Sequence, residues 1–191
     1  MAITQLDSHT ALIVIDLQCG IVALPPQQTV PGVIEQANRL IDAFHQQGRP
    51  VVLVNVAGSA PGRTDQQLGS HALPDKWAMP DNWAMLVKEL HDQDDDIRIT
   101  KRTWGAFMDT DLHQQLQALG VTQVVIVGIA TSIGVESTAR QAFELGYHVT
   151  LCTDAMTDLN LENHRHAIRA IFPRLAETGT TQDVLALLTS R

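Results

Sequence analysis

The run Ala11-Leu12-Ile13-Val14-Ile15-Asp16-Leu17 constrains the fold more than any other stretch, because its unbroken aliphatic residues leave a strand no polar face. Such a strand needs cover on both sides, the setting of a parallel sheet between two helical layers. Residues 51–56 and the run Val124-Val125-Ile126-Val127 repeat the pattern.

Helical patterns fall between these runs. Pro31 suits a first helical position, and Ile34, Ala37, Leu40, Ile41 and Phe44 recur at helical spacing as far as Gly48. Residues 96–101 alternate polar and apolar, as a half-exposed strand does, and deliver Lys101 at the carboxyl end. Leu112, Leu116 and Leu119 mark a helix closed by Gly120. A strand over 148–154 ends on Asp154, and a helix over 161–171 stops before Pro173. A short strand is expected over 175–178, then a terminal helix capped by Thr181 and running through Leu188.

Periodicity fails between Ala57 and Asp96, a segment holding Trp77, Trp83 and one short helical candidate over 83–90. A loop of this length in a compact domain is read as a pocket lid or an oligomer contact. The alternation predicts one domain over 1–191: a three-layer α/β/α fold with a six-stranded, mostly parallel sheet ordered 3-2-1-4-5-6. That order sets Asp16, Lys101, the turn at 128–134 and Asp154 along one sheet edge.

Charge and cysteine content narrow the function classes. A net charge of −8 with no Lys/Arg stripe excludes a nucleic-acid or anionic-membrane surface. No apolar run of about 18 residues is present to span a bilayer. Cys19 and Cys152 read as free thiols in a reducing, cytoplasmic setting. The Asp92 to Asp96 cluster reads as a solvated loop.

Asp16 and Lys101 place a carboxylate and an amine at the ends of two buried strands. The turn between Val127 and the helix starting near Val135 adds backbone N–H groups and a positive dipole end. Together they form an acid/base pair with an anion-stabilising cradle, or else a structural ion pair that closes the sheet edge.

Three blocks go further: Val14-Ile15-Asp16-Leu17-Gln18, Thr100-Lys101-Arg102-Thr103-Trp104-Gly105-Ala106-Phe107, and Gly128-Ile129-Ala130-Thr131-Ser132-Ile133-Gly134-Val135-Glu136-Ser137-Thr138-Ala139-Arg140. In order and separation they resemble the signature blocks of the isochorismatase-like hydrolase superfamily. The resemblance implies a hydrolase of small molecules, a homodimer or larger assembly, and a non-proline cis peptide at Ile129-Ala130. In the cysteine-hydrolase branch the triad is Asp, Lys and Cys. Asp16 and Lys101 match the first two, and the nucleophile position falls on Gly134, which has no side chain to attack a carbonyl.

Members of the superfamily that cleave isochorismate lack the cysteine as well. Their substrate is a vinyl ether, protonated by a general acid and then hydrated, and the resemblance gives that acid's role to Asp16. One tension follows: a neighbouring Lys101 favours ionised Asp16, whereas a general acid near neutral pH must keep its proton.

Candidates for substrate contact are Gln18, Trp104, Phe107, Ala130, Thr131 and Ile133, with Trp104 and Phe107 as pocket walls. Ser132 is a candidate helix cap, Glu136 and Arg140 a helical ion pair, and Asp154 a loop-binding acid. The Asp-x-His metal motif of nicotinamidases is absent from 54–58, so no metal and no cofactor are expected. Two other readings stand beside the hydrolase: a small-molecule binding or assembly protein derived from one, and an amidase using Cys19 or a serine.

Overall fold

The computed structural model describes residues 3–26, 28–58 and 81–189. Strands β1 (Thr10–Ile15), β2 (Val51–Val56), β3 (Ile97–Lys101), β4 (Gln123–Ile129), β5 (His148–Thr157) and β6 (Glu177–Gly179) form one sheet. Its order is β3-β2-β1-β4-β5-β6 and every pairing is parallel. The fold and strand order are those expected from the alternation of elements.

The helices are α1 (Cys19–Val22), α2 (Val30–Gln46), α3 (Leu112–Ala118), α4 (Glu136–Glu144), α5 (Leu161–His166) and α6 (Thr181–Thr189). Alternate residues of β1 divide between two cores. Leu12 and Val14 join one with Ala37, Leu40, Ile41 and Phe44 of α2 and Val184 and Leu188 of α6. Ala11, Ile13 and Ile15 join the other with Leu112 and Leu116 of α3 and Ala139 and Ala142 of α4. Both faces of β1 are therefore covered, which is why its sequence carries no alternation.

Several boundaries differ from the sequence reading, each for a local reason. No helix forms over 83–90, where the backbone instead answers the chain leaving β1. Met85 and Trp83 carbonyls accept from Cys19 and Gly20 N–H, and Val87 N–H donates to Leu17. Residues 59–80, with Trp77, lie outside the described residues. The helix over 161–171 changes hydrogen-bonding pattern at Ala167, becoming a π-turn through Ile171 before Pro173. The cap of α6 is Thr180: its N–H donates to Asp183 Oδ2 at 2.7 Å, and its Oγ1 accepts from Asp183 N–H at 3.3 Å.

Strand β5 also runs longer than its first acid suggested. Ile126 pairs with Leu151 but Gly128 with Met156, so β5 carries extra residues opposite β4. The bulge turns Asp154 outward, where its Oδ1 accepts from the N–H and hydroxyl of Thr181 at 2.8 and 3.1 Å. Asp154 therefore ties β5 to α6 and does not share the edge with Asp16. Gly128 has φ 119°, and a Cβ there would collide with the backbone of Ile15, so only glycine lets β4 lie this close to the end of β1.

Candidate active site

β1 ends at Ile15, and Asp16 turns off it with φ 51°, a left-handed conformation unusual for a side-chain-bearing residue and concentrated at functional sites. β3 lies two strands away, a span of about 10 Å at the usual strand spacing. The long side chain of Lys101 crosses the end of β2, and its Nζ donates to Asp16 Oδ2 at 2.7 Å and to the Thr103 carbonyl at 3.3 Å. Both partners are buried, with side chains 2% and 6% exposed for Lys101 and Asp16.

The other carboxylate oxygen, Asp16 Oδ1, is buried without a hydrogen-bond partner among the described residues. Burial pushes the Asp16 carboxyl up from 3.8 to about 6, against the pull of Lys101. The balance between lysine and desolvation thus falls to desolvation, which favours the neutral acid.

The third element is the turn after β4. The Ile129-Ala130 peptide is cis, and residues Thr131–Val135 form a π-helical turn leading into α4. The Ala130 carbonyl accepts from the N–H of both Ile133 and Val135 at 3.1 Å. Gly134 sits directly over the acid: a Cβ built on it would lie 3.1 Å from Asp16 Oδ2 and 2.9 Å from Ile15 Cγ2. Gly134 therefore faces the Asp16 and Lys101 pair.

These groups line a cleft of about 200 Å³, to which Asp16, Lys101, Trp104, Ala130, Ile133 and Gly134 all contribute. Three other candidates lie elsewhere. Gln18 is fully buried and has its amide committed to backbone: Nε2 donates to the Val56 and Trp83 carbonyls and Oε1 accepts from Val56 N–H. Phe107 stacks on Tyr147 with ring centroids 5.9 Å apart, inside the core beneath α3 and α4. Thr131 is buried, with its hydroxyl donating to the Thr157 carbonyl at 3.0 Å. Ser132 makes no side-chain cap; its N–H donates to Asp158 Oδ2 at 2.6 Å.

Asp158 is the residue the sequence reading missed. It is 1% exposed, and its second oxygen accepts from Asn160 N–H. His164 completes the support: Thr131 Oγ1 has its proton on Thr157, so His164 Nδ1, 2.8 Å away, is the donor to it. The available signal was Ala155-Met156, which extends the apolar strand beyond Asp154 and makes Asp158 the acid at its end. Glu136 and Arg140 form their expected pair at 2.9 Å, at the protein surface.

Neither cysteine lines the cleft. Cys152 is buried in β5, where desolvation and the nearby Asp154 and Asp183 push its thiol far up, away from thiolate chemistry. Among the described residues no three His, Cys, Asp or Glu side chains converge as a metal site. No helix among them is long and apolar enough to cross a membrane.

A parallel α/β domain with an acid, a lysine and a tight turn at the carboxyl edge of its sheet defines a class of small-molecule hydrolase. Residues 10–183 match the Isochorismatase domain, and the chain belongs to the isochorismatase family of hydrolases. It is 43% identical over 183 residues to the uncharacterised isochorismatase family protein YwoC of Bacillus subtilis, covering 92% of each chain. It is 30% identical over 181 residues to the phenazine biosynthesis protein PhzD1 of Pseudomonas aeruginosa, covering 93% of this chain and 85% of that one. An isochorismatase family protein from Burkholderia thailandensis superposes with a TM-score of 0.89 at 36% identity, over 99% of this chain and 100% of the other.

Proposed function

We propose that this hydrolase cleaves a small carboxylated vinyl ether of the isochorismate type, with Asp16 as general acid and no covalent intermediate. The observation that carries the reading is Asp16 itself: buried, raised to about 6, and with Oδ1 lacking a protein partner. Burial leaves this carboxyl protonated to a larger extent near neutral pH than an exposed aspartate, and so with a proton to give to a substrate carbon.

In the proposed reaction the Asp16 carboxyl protonates the terminal methylene carbon of the vinyl ether, and the electron pair of the double bond forms the new C–H bond. The adjacent carbon becomes an oxocarbenium centre. Water adds there and loses a proton, which returns to the Asp16 carboxylate. The bond between the hemiketal carbon and the ring oxygen then breaks, the hemiketal hydroxyl giving up its proton as the carbonyl forms and the ring oxygen taking one up from the Asp16 carboxyl or from water, and the products are a ring alcohol and a 2-keto acid. Ionised Asp16 is stabilised in the interval by Lys101 at 2.7 Å. Backbone N–H groups around Ala130 and Gly134 serve as the cradle for substrate oxygen.

The absence of a side chain at Gly134 supports this order of events, because that position offers no nucleophile and the hydroxyl residues of the turn, Thr131 and Ser132, do not line the cleft. Cys19 and Cys152 do not take its place, since neither lines the cleft. The burial of Asp16 beside Lys101 also argues against an idle descendant, because burying two ionisable groups is costly where they serve nothing.

The test is to incubate the protein with isochorismate, and separately with a panel of amides and carbamoyl compounds, beside Asp16→Asn. The asparagine keeps an acceptor for Lys101, and circular dichroism checks that both proteins are folded. We expect release of the 2-keto acid by the wild type and a loss of about 10²- to 10⁴-fold in the variant. Equal turnover by both proteins, or amide cleavage with an acyl adduct visible by mass spectrometry, overturns the proposal.

A further inference from the structure

We propose that Arg102 is the carboxylate-binding residue of this cleft, so that the pocket selects a flat, largely apolar molecule carrying an anionic carboxylate at one end. The inference rests on the vinyl-ether reading only for the orientation of the ligand, whose other end faces the Asp16 carboxyl. It identifies which residue reads the acid group.

The charged side chains lining the cleft among the described residues are Asp16, Lys101 and Arg102. Lys101 is committed, with its Nζ on Asp16 and on the Thr103 carbonyl. Arg102 donates only from Nη1, to the Ala57 carbonyl at 3.2 Å, and has no carboxylate partner among the described residues. A guanidinium carries five N–H donors in a planar fork, so most of them remain available to a bidentate carboxylate.

Charge and surface character point the same way. The chain as a whole carries −8, yet among the described residues the cleft is lined by two cations and one carboxylate, a locally positive set on an acidic molecule. Such a site concentrates anions of the substrate's size. The rim beside Arg102 is apolar: Leu24, Trp104 and Leu159 line the cleft and are 42%, 62% and 45% exposed. Exposed aliphatic and aromatic surface around a fixed polar anchor is the usual composition of a small-molecule pocket. About 200 Å³ is available, room for a single ring with short substituents.

The experiment measures binding and needs no turnover. Benzoate and its neutral analogue benzyl alcohol are titrated into the full chain, and the quenching of tryptophan fluorescence is followed, since Trp83 and Trp104 both line the cleft. The wild type, Arg102→Met, Arg102→Lys and Asp16→Asn are compared. We expect wild type to prefer benzoate, Arg102→Met to bind benzoate about 10- to 100-fold more weakly with benzyl alcohol unchanged, and Arg102→Lys to fall between them. Asp16→Asn should bind benzoate at least as well as wild type, which separates this inference from the catalytic one. Equal binding of the two probes by wild type, or unchanged benzoate binding by Arg102→Met, overturns the assignment whether or not isochorismate is cleaved.

Discussion

The two walls of the cleft are held by different forces: the turn at 129–135 is fixed by buried hydrogen bonds on several sides, whereas Arg102 to Trp104 and the leucines opposite stand largely in solvent. On the turn side, Ala130 O, Ser132 N–H and Thr131 Oγ1 each have a named partner, and the partners Asp158 and Thr157 are themselves buried. On the rim, Trp104 is 62% exposed and Arg102 has a single backbone acceptor. On the proposed reading, geometry that must hold to fractions of an ångström sits on the first wall, and ligand recognition that varies between substrates sits on the second.

The contrast is sharpened most by pH, because the chemistry depends on one proton at the junction of the two walls. Asp16 is raised to about 6 by burial, so kcat/KM for a vinyl-ether substrate should be flat in acid and fall about tenfold per unit above that value. A bound carboxylate places a further negative charge nearby, so the descending limb of kcat should lie at higher pH than that of kcat/KM. Stability follows the same sign. The folded-state value lies above the ordinary one, so the stabilisation from protonated Asp16 is full below about pH 4 and is lost as pH rises through about 6. The difference in melting temperature between wild type and Asp16→Asn should therefore move in favour of wild type as pH falls from 7 to 4. A rate profile level through pH 8 would place the essential proton on another group.

A smaller effect tests whether the fixed wall is fixed by Asp158. Asp158→Ala leaves the N–H groups of Ser132 and Asn160 without their acceptor, at a cost of about 2 kcal/mol in unfolding free energy by chemical denaturation. Activity should fall further than this loss of folded protein explains, since the turn that bears Ala130 and Gly134 loses its anchor. An active, equally stable variant would mean that the π-turn holds itself, and that the two walls differ less than their hydrogen bonding implies.

What the sequence disclosed follows the same division. Strand ends were legible because β1, buried on both faces, stops abruptly at Asp16, and the alternation of the half-exposed β3 runs out at Lys101. The strand order followed from alternation and crossover handedness. Gln18 was misleading since a polar residue just past a strand end reads as a site residue whether it meets a ligand or, as here, braces Val56 and Trp83. Phe107 misled in the same way, because an aromatic packs equally well in a core and on a pocket wall. Asp158 was hidden by the bulge in β5, which no periodicity of two foretells. The helix expected over 83–90 was displaced by tertiary hydrogen bonds to 17–20, a contact with no local trace.

The mildest change probes the exposed wall alone. Trp104 presents a large apolar face at the rim of the cleft, and its truncation removes contact area from a ligand without opening a cavity in either core. Trp104→Ala should leave the unfolding free energy within about 0.5 kcal/mol of wild type, as surface substitutions do. On a cyclic carboxylated substrate it should raise KM about three- to tenfold while kcat stays near wild type, because the indole would contact ground state and transition state alike. A fall in kcat with KM unchanged would instead place Trp104 among the groups that act only in the transition state. The rim would then belong with the turn, and the separation of fixed chemistry from adaptable recognition would fail at this residue.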